Sequence, residues 1–361
     1  MTAATAAPAA GGEDKARHDA VSPVDAAGGG REASQDAAVA HDAAVPHDPD
    51  AVLEGWVVRT QSGFYAVETG GVILTATLRG RLKRDRDREG LIALGDRVKV
   101  QRTAAPSGGG GYDAVIIERL ERTSSLVRRA PGPKGIWSKD VVIANIDLLL
   151  ITFSCQRPDP NPRLIDRFLA LAEIDELDCV IVITKVDLGI QPAVAADLAE
   201  YERIGYRILP VSVRTEAGLA AVKEALHGRV SAVVGPSGVG KSSLLNAIEP
   251  GLALGVGEVS TTHHKGRHTT RVGELHPLTG GGRVADTPGL RELALWEMDG
   301  AELQWGFVEF RPYLNQCRFQ NCSHVHEPGC AVRAAVVGGG ISARRHDSYV
   351  RMLSGDVERS S

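Results

Sequence analysis

Gly235-Pro236-Ser237-Gly238-Val239-Gly240-Lys241-Ser242-Ser243 is the stretch on which the reading of this 361-residue chain turns. It follows the apolar run 230–234, which has the composition of a buried strand, and it opens a helical stretch at 244–248. A Gly-rich loop between a strand and a helix N-terminus is a phosphate-binding loop. Its small residues let backbone N–H groups wrap a β-phosphate, and the helix end adds partial positive charge. In such a loop Lys241 reaches the β- and γ-phosphates, and the Ser242 hydroxyl ligates Mg2+.

Outward from the loop, apolar runs alternate with helical ones. Strands are expected at 141–153, 179–184, 207–211 and 230–234, and helices beginning near Arg163, Ala193, Leu219 and Lys241. That alternation predicts a mostly parallel α/β sheet wrapped by helices. Downstream, Asp286-Thr287-Pro288-Gly289 follows the run 283–285, as expected for a carboxylate that holds Mg2+ and a glycine N–H that reads the γ-phosphate. Upstream, Thr184-Lys185-Val186-Asp187 ends the strand at 179–183. An Asp carboxylate there accepts two hydrogen bonds from the N1 and N2 groups of guanine, a donor pair adenine lacks, while the Lys185 stem packs on the ring. The tetrad alone is a weak signal, but with the other two motifs it selects guanine.

Nearer the N-terminus the period changes. Short β-type runs at 56–59, 64–68, 72–77, 97–101 and 114–119 are separated by turn signals such as Ser62-Gly63, Gly70-Gly71 and Gly95-Asp96. Five short strands predict a small closed barrel of the oligonucleotide-binding (OB) type. A Pro131-Gly132-Pro133 linker is expected to follow it. Residues 51–130 carry fourteen basic and nine acidic side chains, with a cluster at Arg79, Arg81, Lys83, Arg84, Arg86 and Arg88 that is interleaved with Asp85, Asp87 and Glu89. The cluster reads either as an RNA contact or as a solvated loop.

The chain's net charge of −4 conceals this, because residues 1–50 hold nine acidic residues against three basic ones. They also hold sixteen Ala and no Leu, Ile or aromatic residue, too little apolar surface to offset ordering entropy, so a disordered tail is expected. The tail fits neither a signal peptide nor an organelle transit peptide. No run reaches the roughly 20 apolar residues of a membrane span, since 141–153 is interrupted by Asn145 and Asp147.

Five cysteines make too sparse and odd a set for a disulfide framework. Cys317, Cys322, His324 and Cys330 have the spacing Cys-x4-Cys-x-His-x5-Cys, in which three thiolates and an imidazole fill a tetrahedral Zn2+ shell with no open position. The site is therefore expected to be structural, with His326 as the rival imidazole. Cys155 and Cys179, in apolar runs, are expected in the core. A last helix is expected over 342–353.

The order of these motifs carries a resemblance. Conventional GTPases run P-loop, switch-one Thr, Asp-x-x-Gly, Asn-Lys-x-Asp and a Ser-Ala loop. In this chain the base-reading tetrad and a Ser-containing loop, Val211-Ser212-Val213, precede the P-loop, while His268-Thr269-Thr270 and Asp286 follow it. This circular permutation, with a barrel before it and a Cys/His-rich end after it, resembles the bacterial ribosome small subunit-dependent GTPase A family. The similarity extends to Gly80, Gly95-Asp96, Ala144-Asn145-Ile146-Asp147, Arg163-Leu164-Ile165-Asp166-Arg167 and Gly266-Arg267-His268-Thr269-Thr270. Two departures are Thr184 in place of Asn, and Arg271 where the family often has another Thr, so that Thr269 and Thr270 both stand as Mg2+ ligand candidates.

The resemblance implies an acidic tail (1–50), an OB barrel (51–125), a permuted GTPase domain (126–296) and a mainly helical zinc module (297–361). It implies GTP binding by 184–187, Ser212, Val213, 235–243, Thr269, Thr270, Asp286 and Gly289, with Mg2+ on Ser242 and Asp286. Leu290 occupies the place where Ras-like enzymes carry the water-orienting Gln, and the resemblance nominates His268 instead, since a neutral imidazole can hydrogen-bond a water nucleophile. Slow intrinsic GTP hydrolysis stimulated by the small ribosomal subunit, rRNA contacts, a cytoplasmic location and a monomeric state are the further expectations. The rivals are an RNA-binding assembly factor with a passive nucleotide switch, and an ATP-dependent enzyme with the same loop.

Overall fold

The structure, a computed structural model, describes residues 51–61, 63–80, 92–103, 112–131, 137–255, 273–286, 298 and 300–355. The acidic tail, most of the basic cluster, His268, Thr269, Thr270 and Gly289 lie outside the described residues.

Alternating apolar positions build the first unit. Strands β1 (Val52–Gln61), β2 (Phe64–Thr69), β3 (Val72–Leu78), β4 (Arg97–Arg102) and β5 (Ala114–Arg119) pair in the order β1-β2-β3-β5-β4, and β4 returns to β1. The ring is closed, with Val57, Val67, Leu74, Ala76, Val98, Val100 and Ile116 buried inside it. This is the expected OB-type barrel.

Two expectations for the next segment are corrected. The stretch read as one strand over 141–153 is two: β7 (Trp137–Ala144) pairs with β6 (Ser125–Pro131) in a hairpin, and β8 (Leu148–Ser154) enters the main sheet. The break is at Asn145, which takes a left-handed conformation (φ 52°). Its amide donates to the Gly95 carbonyl (2.9 Å), and its Oδ1 accepts from the Thr123 backbone N–H (3.0 Å). The supposed Pro131-Gly132-Pro133 linker begins at the end of β6, where Pro131 pairs with Trp137, and so falls between the two arms of the hairpin.

The same joint accounts for the quiet stretches of the resemblance. Gly95 (φ 82°) packs so closely on β7 that a Cβ would lie 2.3 Å from the Ala144 carbonyl oxygen. Asp96 is fully buried, accepting from the Ala93 N–H (2.7 Å) and from Arg122 through Nε (2.7 Å) and Nη2 (2.8 Å). Asp147 accepts from the Val230 N–H (2.8 Å), which ties the start of β8 to the strand beside it.

The main sheet holds β9 (Asp178–Thr184), β10 (Arg207–Pro210), β11 (Val230–Val234), β12 (Glu274–Pro277) and β13 (Arg283–Asp286) with β8. In the order β10-β9-β8-β11-β13 it is wholly parallel, and β12 adds an antiparallel edge that meets β1 of the barrel at Arg59↔Glu274. Helices α1 (Pro162–Ile174) and α2 (Pro192–Arg203) cover one face, burying Ile165, Phe168, Leu169 and Tyr201. On the other face α3 (Leu219–Leu226) and α4 (Lys241–Ile248) bury Val222, Leu226, Leu244 and Ile248. All four helices start within one residue of the expected positions.

The C-terminal module is a short turn α5 (Gly300–Leu303), 3-10 turns at Gln304–Gly306 and Val308–Gln316, α6 (Ala331–Val337) and α7 (Ala343–Leu353). Its core joins Phe307, Phe310, Val332, Ile341 and Tyr349 to Ala170 of α1. Among the described residues, no helix is long and apolar enough to cross a membrane.

Candidate functional site

Parallel strands present their C-terminal ends at one edge of the sheet, where the first turns of the following helices point N–H groups outward. The P-loop after β11, the tetrad after β9, Ser212 after β10 and the backbone of Asp286 at the end of β13 all fall on that edge.

The P-loop begins at Gly235 (φ 138°), where a Cβ would lie 2.0 Å from the carbonyl oxygen of Thr152 in β8, so only glycine lets the loop cross that strand. Gly238 and Gly240 also take positive φ, and Pro236, Ser237 and Val239 complete the turn into α4, whose first residues are Lys241, Ser242 and Ser243. The Lys241 ammonium donates to the carbonyls of Gly235 (2.7 Å) and Pro236 (2.6 Å), so it lies folded over the loop.

The tetrad is joined to this loop directly. Lys185 Nζ donates to the Gly238 carbonyl (2.7 Å) and to that of Arg157. The buried Thr184 hydroxyl bonds the Val239 carbonyl, with Phe153 O at 3.2 Å, so the residue in the Asn position anchors the base-reading loop to the phosphate loop. Ser212, fully buried, donates to Asp187 Oδ1 (2.7 Å) and accepts from the Thr215 N–H (3.2 Å), while Arg214 lies 3.8 Å from Asp187 Oδ2. The Val186 N–H donates to the Val211 carbonyl (3.3 Å), and Val213 follows Ser212, half-buried.

Lys185 holds a left-handed backbone (φ 59°), which costs a non-glycine residue about 1–2 kcal/mol. Two residues outside the nucleotide motifs support it. The Cys155 thiol donates to Lys185 O (3.0 Å), and the Gln156 amide donates to the carbonyls of Leu188 (3.1 Å) and Gly189 (2.7 Å). Their only sequence signal is that they directly follow β8, the strand beside β9. Burial, and then the charge of Asp187, push the Cys155 thiol above its ordinary pKa, which keeps it a protonated donor.

A sequence model of the RsgA GTPase family matches residues 119–296. The Small ribosomal subunit biogenesis GTPase RsgA of Gemmatimonas aurantiaca is 45% identical over 308 residues, covering 85% of this chain and 98% of the relative. The chain belongs to the RsgA GTPase family. A second RsgA, from Moorella thermoacetica, is 41% identical with the same coverage. Among solved structures, YjeQ from Thermotoga maritima superposes with a TM-score of 0.65 at 34% identity, over 86% of this chain and all of that one. YloQ, described as a circularly permuted GTPase, superposes with a TM-score of 0.62 at 30% identity, over 88% and 99%. As an RsgA GTPase the protein is a GTP-hydrolysing enzyme with a closed OB-like barrel, a permuted central domain and a helical C-terminal region.

That C-terminal region of the RsgA chain brings Cys317, Cys322, His324 and Cys330 together, their ligand atoms all within 4.8 Å of one another, a group that can hold a metal ion. His324 Nδ1 stands 3.6 Å from Cys317 Sγ and 3.5 Å from Cys330 Sγ, and the two sulfurs are 4.0 Å apart. The other ring nitrogen, Nε2, meets Gln304 Oε1 at 2.9 Å, which orients the imidazole. Burial lowers the His324 pKa, keeping the ring neutral and fit to ligate. His326 is outside the group. The Glu327 carboxylate gathers the backbone N–H groups of Ser323, Val325 and His326 into one tight turn, and backbone N–H groups of Ala331 and Arg333 approach the sulfurs of Cys317 and Cys330 at 3.4 Å each. Cys155 is fully buried, as expected of a core residue, whereas Cys179 is half-buried at the start of β9.

Proposed function

We propose that this chain binds GTP across Thr184–Asp187, Ser212–Val213 and Gly235–Ser243, hydrolyses it slowly alone, and turns over rapidly on the small ribosomal subunit during late assembly. The observation that carries the reading is the Lys185 bond to Gly238, which joins a guanine-reading tetrad to a phosphate loop 53 residues later in the chain. The printed names of the relatives supply the small subunit as partner.

The strand-end geometry supports the proposed roles of Asp187, Lys241 and Ser242, and those of Thr269, Thr270, Gly289 and His268 are carried over from the resemblance. Asp187, oriented by the Ser212 hydroxyl, accepts from the guanine N1 and N2 groups. Lys241, whose ammonium lies over the loop, would meet the β- and γ-phosphates, and Ser242 with Asp286 would hold the metal. Magnesium, when bound, neutralises charge on the phosphates during in-line attack. Thr269 or Thr270 would be a further magnesium ligand, the Gly289 N–H would read the γ-phosphate, and His268 would orient the attacking water. The proposed division is a tail at 1–50, barrel 51–125, GTPase domain 126–296 and zinc module 297–361.

Zinc suits the C-terminal ligands. Tetrahedral bonds of about 2.3 Å to sulfur and about 2.05 Å to nitrogen place sulfur–sulfur pairs about 3.8 Å apart and sulfur–nitrogen pairs about 3.5 Å apart, close to the 4.0, 3.5 and 3.6 Å separations among Cys317, Cys330 and His324, in a group whose ligand atoms all lie within 4.8 Å. With zinc bound, none of the five thiols reacts quickly with Ellman's reagent, because Cys155 is buried and burial pushes Cys179 up to about 12. Removing the zinc is expected to release three fast thiols; five fast thiols in the native protein would contradict the burial of Cys155 and the raised pKa of Cys179. The protein is proposed to act as a cytoplasmic monomer, its barrel and zinc module gripping rRNA on either side of the GTPase domain.

The deciding experiment is phosphate release with and without small subunits. Multiple turnover stimulated by subunits supports the reading, and a bound nucleotide that never turns over favours the passive switch. Asp187→Asn removes a charged acceptor worth about 1.5–3 kcal/mol, so GTP affinity should fall about 10–100-fold in a nucleotide titration. Equal competition by ATP would contradict guanine recognition. His268→Ala should abolish most stimulated turnover without loss of GTP binding; a wild-type rate would sink its assignment as the water-orienting residue.

A further inference from the structure

The barrel does not merely precede the main sheet; it continues it. Arg59 of β1 is opposite Glu274 of β12, and Glu274 is opposite Asp286 of β13, so one row of register runs from the barrel to the proposed magnesium ligand. At the other end of β13, Arg283 donates to Glu68 of β2 at 2.6 Å, the side chains only 16% and 24% exposed, and its guanidinium lies 5.4 Å from the centroid of the Trp56 ring in β1. On its opposite side β13 pairs with β11, the strand that delivers the P-loop, with Arg283 opposite Val230. The β12–β13 hairpin is also the segment of chain between His268–Thr270 and Asp286–Gly289. It is thus held between the phosphate loop strand and the barrel, and a short strand clamped at both ends moves as a unit.

We propose that Trp56, Glu68 and Arg283 are positioning residues for hydrolysis, a contact through which RNA bound to the barrel sets the β13 strand and with it Asp286. Arg283 is built for this: its backbone belongs to the nucleotide sheet, and among the described residues its ion-pair partner is the barrel carboxylate of Glu68. Its planar cation suits both the carboxylate and the indole face, a combination Lys would not reproduce. The inference rests on the subunit-stimulated reading of function.

The test compares wild type, Glu68→Gln, Arg283→Met and the charge exchange Glu68→Arg with Arg283→Glu, in the full chain. Basal GTP turnover, turnover on saturating small subunits and subunit co-sedimentation are measured for each. The singles should lose about fivefold or more of stimulated kcat, with basal turnover and subunit binding within about twofold of wild type, and the exchange, which restores the ion pair but not the cation on the Trp56 face, should recover part of the loss. Full stimulation in both singles, loss of subunit binding in place of kcat, or an exchange no better than the singles overturns the relay while leaving the functional reading intact. If wild type is indifferent to subunits, the functional reading falls and the relay with it. Should Arg283→Met fail to fold, Glu68→Gln, which removes one charge from the barrel side, decides the matter.

Discussion

Asp166→Ala should destabilise the protein by about 3–5 kcal/mol, the cost of removing one partner from a buried ionic network. Asp166 sits fully buried on α1 and accepts three bonds: Tyr201 OH (2.6 Å) and Arg345 Nη1 (2.9 Å) at Oδ1, and Arg344 Nη1 (3.0 Å) at Oδ2. Arg345 is 1% exposed; it makes a two-pronged pair with Glu309 (2.6 and 3.0 Å) and lies 4.5 Å from the Phe307 ring centroid. Arg344 also bonds Glu200 of α2 (2.6 Å) and is a quarter exposed, so water and Glu200 compensate it after the mutation. Arg345 has no water to turn to and carries most of the loss, whereas the Tyr201 hydroxyl keeps the Pro162 carbonyl, 3.0 Å away, as an acceptor. Burial and the Asp166 charge both push the Tyr201 hydroxyl well above its ordinary pKa, so it stays a proton donor. Because the network joins α7 to α1 and α2, the mutation should loosen the C-terminal module first. Hydrogen exchange should rise across residues 300–355 before it rises at β11, and the urea midpoint should fall. A destabilisation below about 1 kcal/mol would mean that Arg345 is satisfied by Glu309 alone.

Removing the zinc proposed for the Cys317, Cys322, His324 and Cys330 group should have the larger effect. Binding energy at structural sites of this kind is about 10–16 kcal/mol, which exceeds what the small Phe307, Phe310 and Tyr349 core can supply alone. Chelation should release one equivalent of metal, abolish protection over residues 300–355, and leave GTP binding at the sheet edge intact. The fall in stability steepens with acid, since the three thiols must lose their protons to hold the ion. A C-terminal module that keeps its amide protection without metal would overturn the structural role. Together the two experiments separate the supports of this module: the ion organises it internally, and Asp166 fastens it to the nucleotide domain.

The parts legible in the sequence share a property. The barrel strands, the parallel strands, the helix starts and the P-loop are each written within a few neighbouring residues, where the side-chain period or a glycine in a strand–helix turn is enough. The tetrad and the Cys/His spacing are equally local. The single strand expected over 141–153 failed because both halves are apolar, and what divides them is a polar contact from Asn145 to Gly95, 50 residues away. The spacing pointed to His324 as the imidazole of the Cys group but left His326 as a rival, since both lie between Cys322 and Cys330. The choice came from a left-handed residue at His324 and from the Glu327-centred turn.

Fold classes, the order of the motifs and the chemistry each could perform are readable along the chain, because they depend on the backbone's local preferences and on residue type. It takes the folded molecule to show that Cys155 and Gln156 brace the tetrad loop, that Asp166 meets Arg345 across 179 residues, and that the barrel's Glu68 holds Arg283 in the strand ending at Asp286. Such pairings connect positions with no shared period or motif. They exist only once burial makes an unpaired charge too costly and the sheet has brought its partner within reach.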